Sequence, residues 1–174
     1  MLSGRATTLA SCFVGLDKRY LTDVDLSSRT TTGDPEGRPG ERQEPPSPAA
    51  LHEALGGLRG EVELPIPAAS AVKIGGERAY RLARRGVAVE MPLRRSWVHS
   101  LDVIAYRDGI ATLDLRVSSG TYVRAIADAL GGHCATLRRT EVGPFRVEEA
   151  DPERIIPPDE ALARIGARAG ADQA

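Results

Sequence analysis

Gly120-Thr121-Tyr122-Val123-Arg124 joins an alternating apolar stretch to a helical one, and its fifth residue has little reason to be there unless it is used. Val123 and Ala125-Ile126 flank Arg124, so the guanidinium must find a carboxylate or a ligand phosphate beyond its apolar surroundings. The alternative is an exposed first-turn arginine bridged to Asp128 at i+4. Tyr20 follows Asp17-Lys18-Arg19, so its ring could stack on a nucleobase while the two cations meet phosphate, or simply occupy a strand edge. Lys73, ahead of Gly75-Gly76, precedes a basic helix. That pairing suits phosphate bound by backbone amides and cationic heads, and equally suits a solvated helix face. Leu137-Arg138-Arg139-Thr140 offers a second candidate phosphate contact before Val142-Gly143-Pro144-Phe145.

The elements that must position these residues can be read from periodicity. Ala6, Leu9, Ala10, Phe13 and Val14 have helical spacing that Gly15 closes. Tyr20 to Leu26 alternates with period two, as a half-buried strand does. Gly33 to Pro48 is rich in Gly, Pro, Glu and Arg and reads as a mobile loop. Ser47 caps a helix with Pro48 in its first turn and Leu51, Ala54, Leu55 and Leu58 on one face. Pro65 to Ser70 is extended and loop-like. Glu77 to Arg85 reads as a helix with Ala79, Leu82 and Ala83 inward and Arg78, Arg81 and Arg85 on the other side.

Farther on, Trp97, His99, Leu101 and Val103 alternate with shorter or polar residues, then Arg107-Asp108-Gly109 turns. Ala111, Leu113, Leu115 and Val117 alternate again, completing a β-hairpin with one buried face. A helix carries Val123, Ile126, Ala127 and Leu130 inward and stops at Gly131-Gly132. A strand from Val142 to Val147 and a tail helix around Ala161–Ile165 end the chain. Strands and helices mix without a βαβ rhythm, so the expected class is α+β.

The 174 residues suffice for one core or one domain with a short appendage. A net charge of −1 excludes a uniformly basic nucleic-acid binder, but the charge is uneven. Lys73, Arg78, Arg81, Arg84, Arg85, Arg94 and Arg95 face only Glu77 and Glu90 in their segment, so a polyanion contact should be local. Cys12 and Cys134 read as separate reduced thiols of a cytoplasmic protein, and His52, His99 and His133 lack metal-ligand spacing. No apolar run reaches the ~20 residues that span a bilayer, and the first residues do not read as a signal peptide.

Taken in order, Gly4-Arg5-Ala6-Thr7, Lys18-Arg19-Tyr20, Ser70-Ala71-Val72-Lys73 with Gly76-Glu77-Arg78-Ala79-Tyr80, Gly120 to Arg124, and Leu137 to Thr140 with Val142 to Phe145 resemble the TruB family of tRNA pseudouridine synthases. The resemblance runs from about Gly4 to Pro158. It implies a mixed, largely antiparallel sheet with flanking helices, incomplete at its N-terminal side. Residues 1–150 would be the C-terminal part of the catalytic domain, with an RNA-gripping insertion at about 65–95 and a short tail at 151–174. It implies a cytoplasmic, monomeric isomerase without metal or organic cofactor. Such an enzyme flips the T-loop uridine of tRNA out of its stack, breaks the glycosidic bond and rejoins the base through carbon. By motif position, Arg124 would pair with the family's catalytic aspartate. Tyr20 would stack on the target base and assist proton removal, and Tyr122 would line the pocket. Lys73, Arg78, Tyr80 and Arg81 would contact RNA from the insertion, with Arg138 near the RNA or pocket wall.

The departures are as informative. The family's aspartate lies in a Gly-Thr-Leu-Asp block ahead of Gly-Arg-Ala-Thr, and only three residues precede Gly4 here. Asp17, Asp23 and Asp25 do not match that block. Ala69 replaces a tyrosine, Thr31 stands where an acid is common, and the stretch from Leu130 to Leu137 is short. The tail is too short for a full C-terminal RNA-binding domain. The expectation is therefore a chain inactive by itself. A non-catalytic tRNA-binding or RNA-chaperone module is the alternative, and a start codon placed too late is a third. Surface left uncovered by a missing N-terminal part would weigh against folding alone.

Overall fold

The computed structural model describes residues 4–87, 89–151 and 153–171. Its organising feature is a six-stranded sheet in which every pairing is antiparallel. Strands β1 (Lys18–Asp25), β4 (Gly60–Pro65), β7 (Leu93–Arg107), β8 (Ile110–Val117), β9 (His133–Val142) and β10 (Phe145–Arg146) build it, in the order β10-β9-β1-β8-β7-β4. Strands β2 (Ser28–Thr30) and β3 (Pro39–Arg42) form a separate pair, as do β5 (Lys73–Ile74) and β6 (Glu77–Arg78). Helices α1 (Ala10–Val14), α2 (Pro48–Gly56), α3 (Ala79–Arg84), α4 (Val123–Ala129) and α5 (Pro158–Ala171) complete the chain. Mixed strands and helices without parallel crossovers make this the α+β class the sequence predicts.

One core lies between one sheet face and helices α2 and α4. Val24, Val98, Leu101, Leu113, Leu115 and Val117 supply the sheet side; Leu51, Leu55, Val123, Ile126 and Ala127 supply the helices. Alternation in β8 gives a strictly periodic inner face, because each residue of a strand points opposite to the next. Ser47 caps α2 by accepting the Ala50 amide, and the Asp108-Gly109 turn has φ of 53° and 79°, as a tight hairpin requires.

Several expectations need correction. The first apolar segment opens as a 3-10 helix, Gly4–Leu9, and becomes α-helical only at Ala10. The Gly33–Pro48 segment is not all loop: Pro39–Arg42 pairs with Ser28–Thr30. Helix α3 is shorter than expected, because Glu77–Arg78 pairs with Lys73–Ile74 instead, and Ala83 is exposed. In β7 the buried side chains are Val98 and Leu101, while Trp97 is 48% exposed. Irregularities between Val98 and Ser100 and between Val103 and Ala105 shift the alternation and exchange the faces. Strand β4 and most of β9 were not anticipated at all.

Residues 66–92 leave the sheet between β4 and β7, and a hydrogen bond from the Ile66 amide to the Pro92 carbonyl (3.0 Å) closes their base.

Candidate functional site

Arg124 lies in the first turn of α4 with 21% of its side chain exposed. Its Nη1 donates to Asp34 Oδ2 (2.7 Å) and to the Thr32 carbonyl (2.9 Å), and its Nη2 donates to the Ala69 carbonyl (3.0 Å). Asp128, the partner in the exposed i+4 alternative, is instead bound to Arg29 at 2.6 Å. So the arginine has a carboxylate, but one that sequence reasoning never singled out. Gly33 makes the approach possible. It has φ +75°, and a Cβ there would sit 3.3 Å from Arg124 Cβ. Asp34 is itself held on its other oxygen, which accepts from Thr32 Oγ1 (2.5 Å) and the Glu36 amide (3.2 Å).

Tyr20 shares its sheet face with this arrangement. In antiparallel pairs, opposed residues point the same way, and Tyr20 stands opposite Leu115 and Arg139. Thr22 and Val24 continue that face, with Cys134 opposite Val24. Cys134 is buried; burial pushes its thiol pKa up, against Thr22 and Arg124, which pull it down. The two cations before Tyr20 do not serve as imagined. Lys18 Nζ donates to the Val14 and Leu16 carbonyls (both 2.5 Å) and to Ser119 Oγ (3.1 Å), and burial, then Arg139, lowers its pKa. Arg19 points to the reverse face, bound to Asp114 at 2.7 Å and Glu141 at 3.1 Å, and these two hydrogen bonds raise its pKa.

Residues 1–123 match the TruB family pseudouridylate synthase (N terminal domain). The chain belongs to the TruB family.

Among its relatives, tRNA pseudouridine synthase B of Mycobacterium sp. (strain KMS) is 41% identical over 162 residues, covering 85% of this chain and 54% of the relative. The proteins of the same name from Leifsonia xyli subsp. xyli (38%; 90% and 57% covered) and Thermobifida fusca (40%; 84% and 56% covered) are similar to it in the same way. The chain thus spans about half the length of the curated relatives it matches. In fold it is similar to a chain in a crystal structure of a Cbf5-Nop10-Gar1 complex, with TM-score 0.59 and 21% identity over 83% of this chain and 36% of that one.

Within this TruB-family chain the remaining candidates distribute unevenly. Tyr122 is the N-cap residue of α4 and lines a small cleft with Thr121, Leu64, Pro65, Arg94, Ser96 and Ala125. Arg138 lies opposite Leu21 and shares its reverse face, so the register brings Arg139 rather than Arg138 beside Tyr20. An irregularity between Arg19 and Tyr20 moves the register by one residue and makes the exchange.

On the 66–92 excursion Lys73 is exposed, while Arg78 Nη1 donates to the Ala71 carbonyl (3.0 Å). Arg85 grips Glu77 through two bonds of 2.7 and 2.8 Å, and Arg95 pairs with Glu61 at 2.8 Å, which removes both from the basic patch. Arg81 and Arg84 remain beside the Tyr80 ring, 5.9 and 5.5 Å from its centroid. A hydrogen bond and the charge from Arg81 lower the Tyr80 pKa. Among the described residues no three metal-ligating side chains lie together, and no helix is long and apolar enough to cross a membrane.

Sequence reasoning missed Asp34 and, of the Arg138-Arg139 pair it named, singled out Arg138 instead of Arg139. The first had a usable signal, since Thr32-Gly33-Asp34-Pro35-Glu36-Gly37 has the composition of a side-chain-stabilised turn. The second needed the strand register.

Proposed function

We propose that this chain forms the uridine-holding wall of a tRNA pseudouridine synthase, acting on the T-loop uridine of tRNA as a cytoplasmic monomer. Arg124 carries the reading. Its guanidinium is fixed by three acceptors on the sheet face that also presents Tyr20. A cation preorganised this way can hold a catalytic carboxylate ionised and aimed at the flipped base, at no reorganisation cost during reaction. Tyr20 supplies a π surface on which a base can stack and a phenol that can pass a proton. Lys73, Arg78, Tyr80 and Arg81 belong to an excursion suited to grip the RNA arm, with the Arg81/Arg84/Tyr80 cluster offering charge and stacking together.

Asp34 is no substitute for the initiating carboxylate. Both its oxygens are engaged, one by Arg124 and one by Thr32 and Glu36, so it orients the arginine instead of attacking. The Gly-Thr-Leu-Asp block that supplies the carboxylate in the family occurs nowhere in these residues. That favours a second, narrower reading for the chain by itself: it binds tRNA without isomerising it. Tritium release from C5-labelled uridine in tRNA, measured beside tRNA binding, tests both. Salt-dependent binding without release is expected; clear turnover by this chain overturns the assignment of roles, and absence of any tRNA binding overturns the function.

A further inference from the structure

Arg94 lies on the site face of the sheet. It stands opposite Leu64, whose side chain packs on the core, whereas its neighbour Arg95 stands opposite Glu63 on the reverse face and is neutralised by Glu61. The Arg94 guanidinium rests on Gly120, where the chain turns toward Tyr122 and Arg124. A Cβ at Gly120 would be 2.7 Å from the guanidinium carbon and 3.1 Å from Nε, and would collide with Nη2. Gly120 also has φ +78°, which favours glycine, and a Cβ there would push the Arg94 head off its seat. Arg94 has no hydrogen-bond or ion-pair acceptor among the described residues. Arg94 is exposed to solvent, with its head beside the cleft that Thr121, Tyr122, Ser96 and Ala125 line.

An exposed guanidinium that lies on Gly120 and has no acceptor is open to one that arrives with the ligand. We propose that Arg94 contacts a phosphate of the RNA strand that passes the Tyr122 side of the site, and that Gly120 is the seat that aims it. This rests on the proposed tRNA-binding function and, of the basic residues between Lys73 and Arg95, assigns Arg94 a contact beside Tyr122. Arginine suits the role because its planar fork can meet two phosphate oxygens at once.

The test is fluorescence anisotropy of the full chain with a T-arm stem-loop RNA over a salt series, with circular dichroism to confirm folding. Arg94→Ala is expected to weaken binding roughly fivefold to tenfold at ~0.1 M salt and to lower the log–log salt slope by about one. Arg95→Ala should leave both unchanged. Arg94→Lys should keep the slope and lose part of the affinity, since a point charge replaces a fork. Gly120→Ala should mimic Arg94→Ala and add nothing to it. Equal binding by Arg94→Ala, Arg95→Ala and the unchanged chain overturns the proposal while the tRNA-binding function stands. If the unchanged chain binds no RNA, both fall.

Discussion

With a fifth of its side chain exposed, Arg124 is paired with Asp34 and donates further to two carbonyls. Asp34→Ala would leave that guanidinium with neutral acceptors only, and the partial exposure limits the damage. A loss of roughly 1–2 kcal/mol is expected in urea unfolding. Asp34→Asn should fall between the two, keeping a side-chain acceptor but no charge. An unchanged midpoint in Asp34→Ala would show that the pair contributes nothing to stability. The arginine could be read from the sequence because its apolar neighbours made a charge conspicuous. Its partner could not, because 90 residues separate them and Asp34 sits in a segment whose Gly and Pro content marks only a loop. Arg138 and Arg139 show a different limit. They are adjacent and chemically identical, and only a register irregularity against β1 decides which one accompanies Tyr20.

At the level of elements, β8 was legible because its burial alternates strictly, and α2 and α4 because large apolar residues recur there at helical spacing, although Ala54 is exposed and Ala125 buried. Strand β9 was not, since its middle is exposed and two irregularities interrupt its pairing with β1. Strand β4 is six residues long, at the sheet edge, and its Val62/Leu64 alternation is buried among Glu61, Glu63 and Pro65. Between α4 and β9, Gly132 passes so near Asp25 that a Cβ would lie 3.0 Å from its carbonyl carbon and clash with the oxygen. Backbone cannot yield as a side-chain tip can, so Gly132→Ala should cost about 2–3 kcal/mol in chemical denaturation. Asp25 also makes the end of β1 sensitive to acid. Burial pushes its pKa up, but hydrogen bonds from the Ser27 amide (2.8 Å) and hydroxyl (2.6 Å), with the charges of His133 and Arg42, outweigh it and hold it below the usual value. A carboxylate depressed on folding contributes stability above its unfolded pKa and loses it as pH falls through the folded one. Asp25→Asn should therefore lower the denaturation midpoint near neutrality and flatten its decline below about pH 4. A decline parallel to the unchanged chain would refute the assignment.

For the whole molecule, the sheet has one face under α2 and α4, and a reverse face that is covered near Glu141 and exposed around Trp97. The single tryptophan, Trp97, lies opposite Glu61 on that reverse face, 48% exposed. Its fluorescence should accordingly be quenched readily by acrylamide in the folded chain and change little on unfolding, while circular dichroism reports the full transition. A large blue-shifted folded signal would mean that something covers the reverse face in solution. The sequence predicted the class and the inner face of this assembly, but placed Trp97 inward by simple alternation, which the bulged β7 does not obey.

The seat of Arg124 has a consequence in time. Its acceptors come from Thr32, Asp34 and Ala69, at separations of 92, 90 and 55 residues, so it exists only after two distant stretches have closed upon α4. Closure of such long loops is entropically unfavourable until the sheet between them is in place. The seat should thus be unformed at the rate-limiting barrier, and Asp34→Ala should speed unfolding in stopped-flow measurements by nearly the whole of its stability loss while leaving the refolding rate untouched.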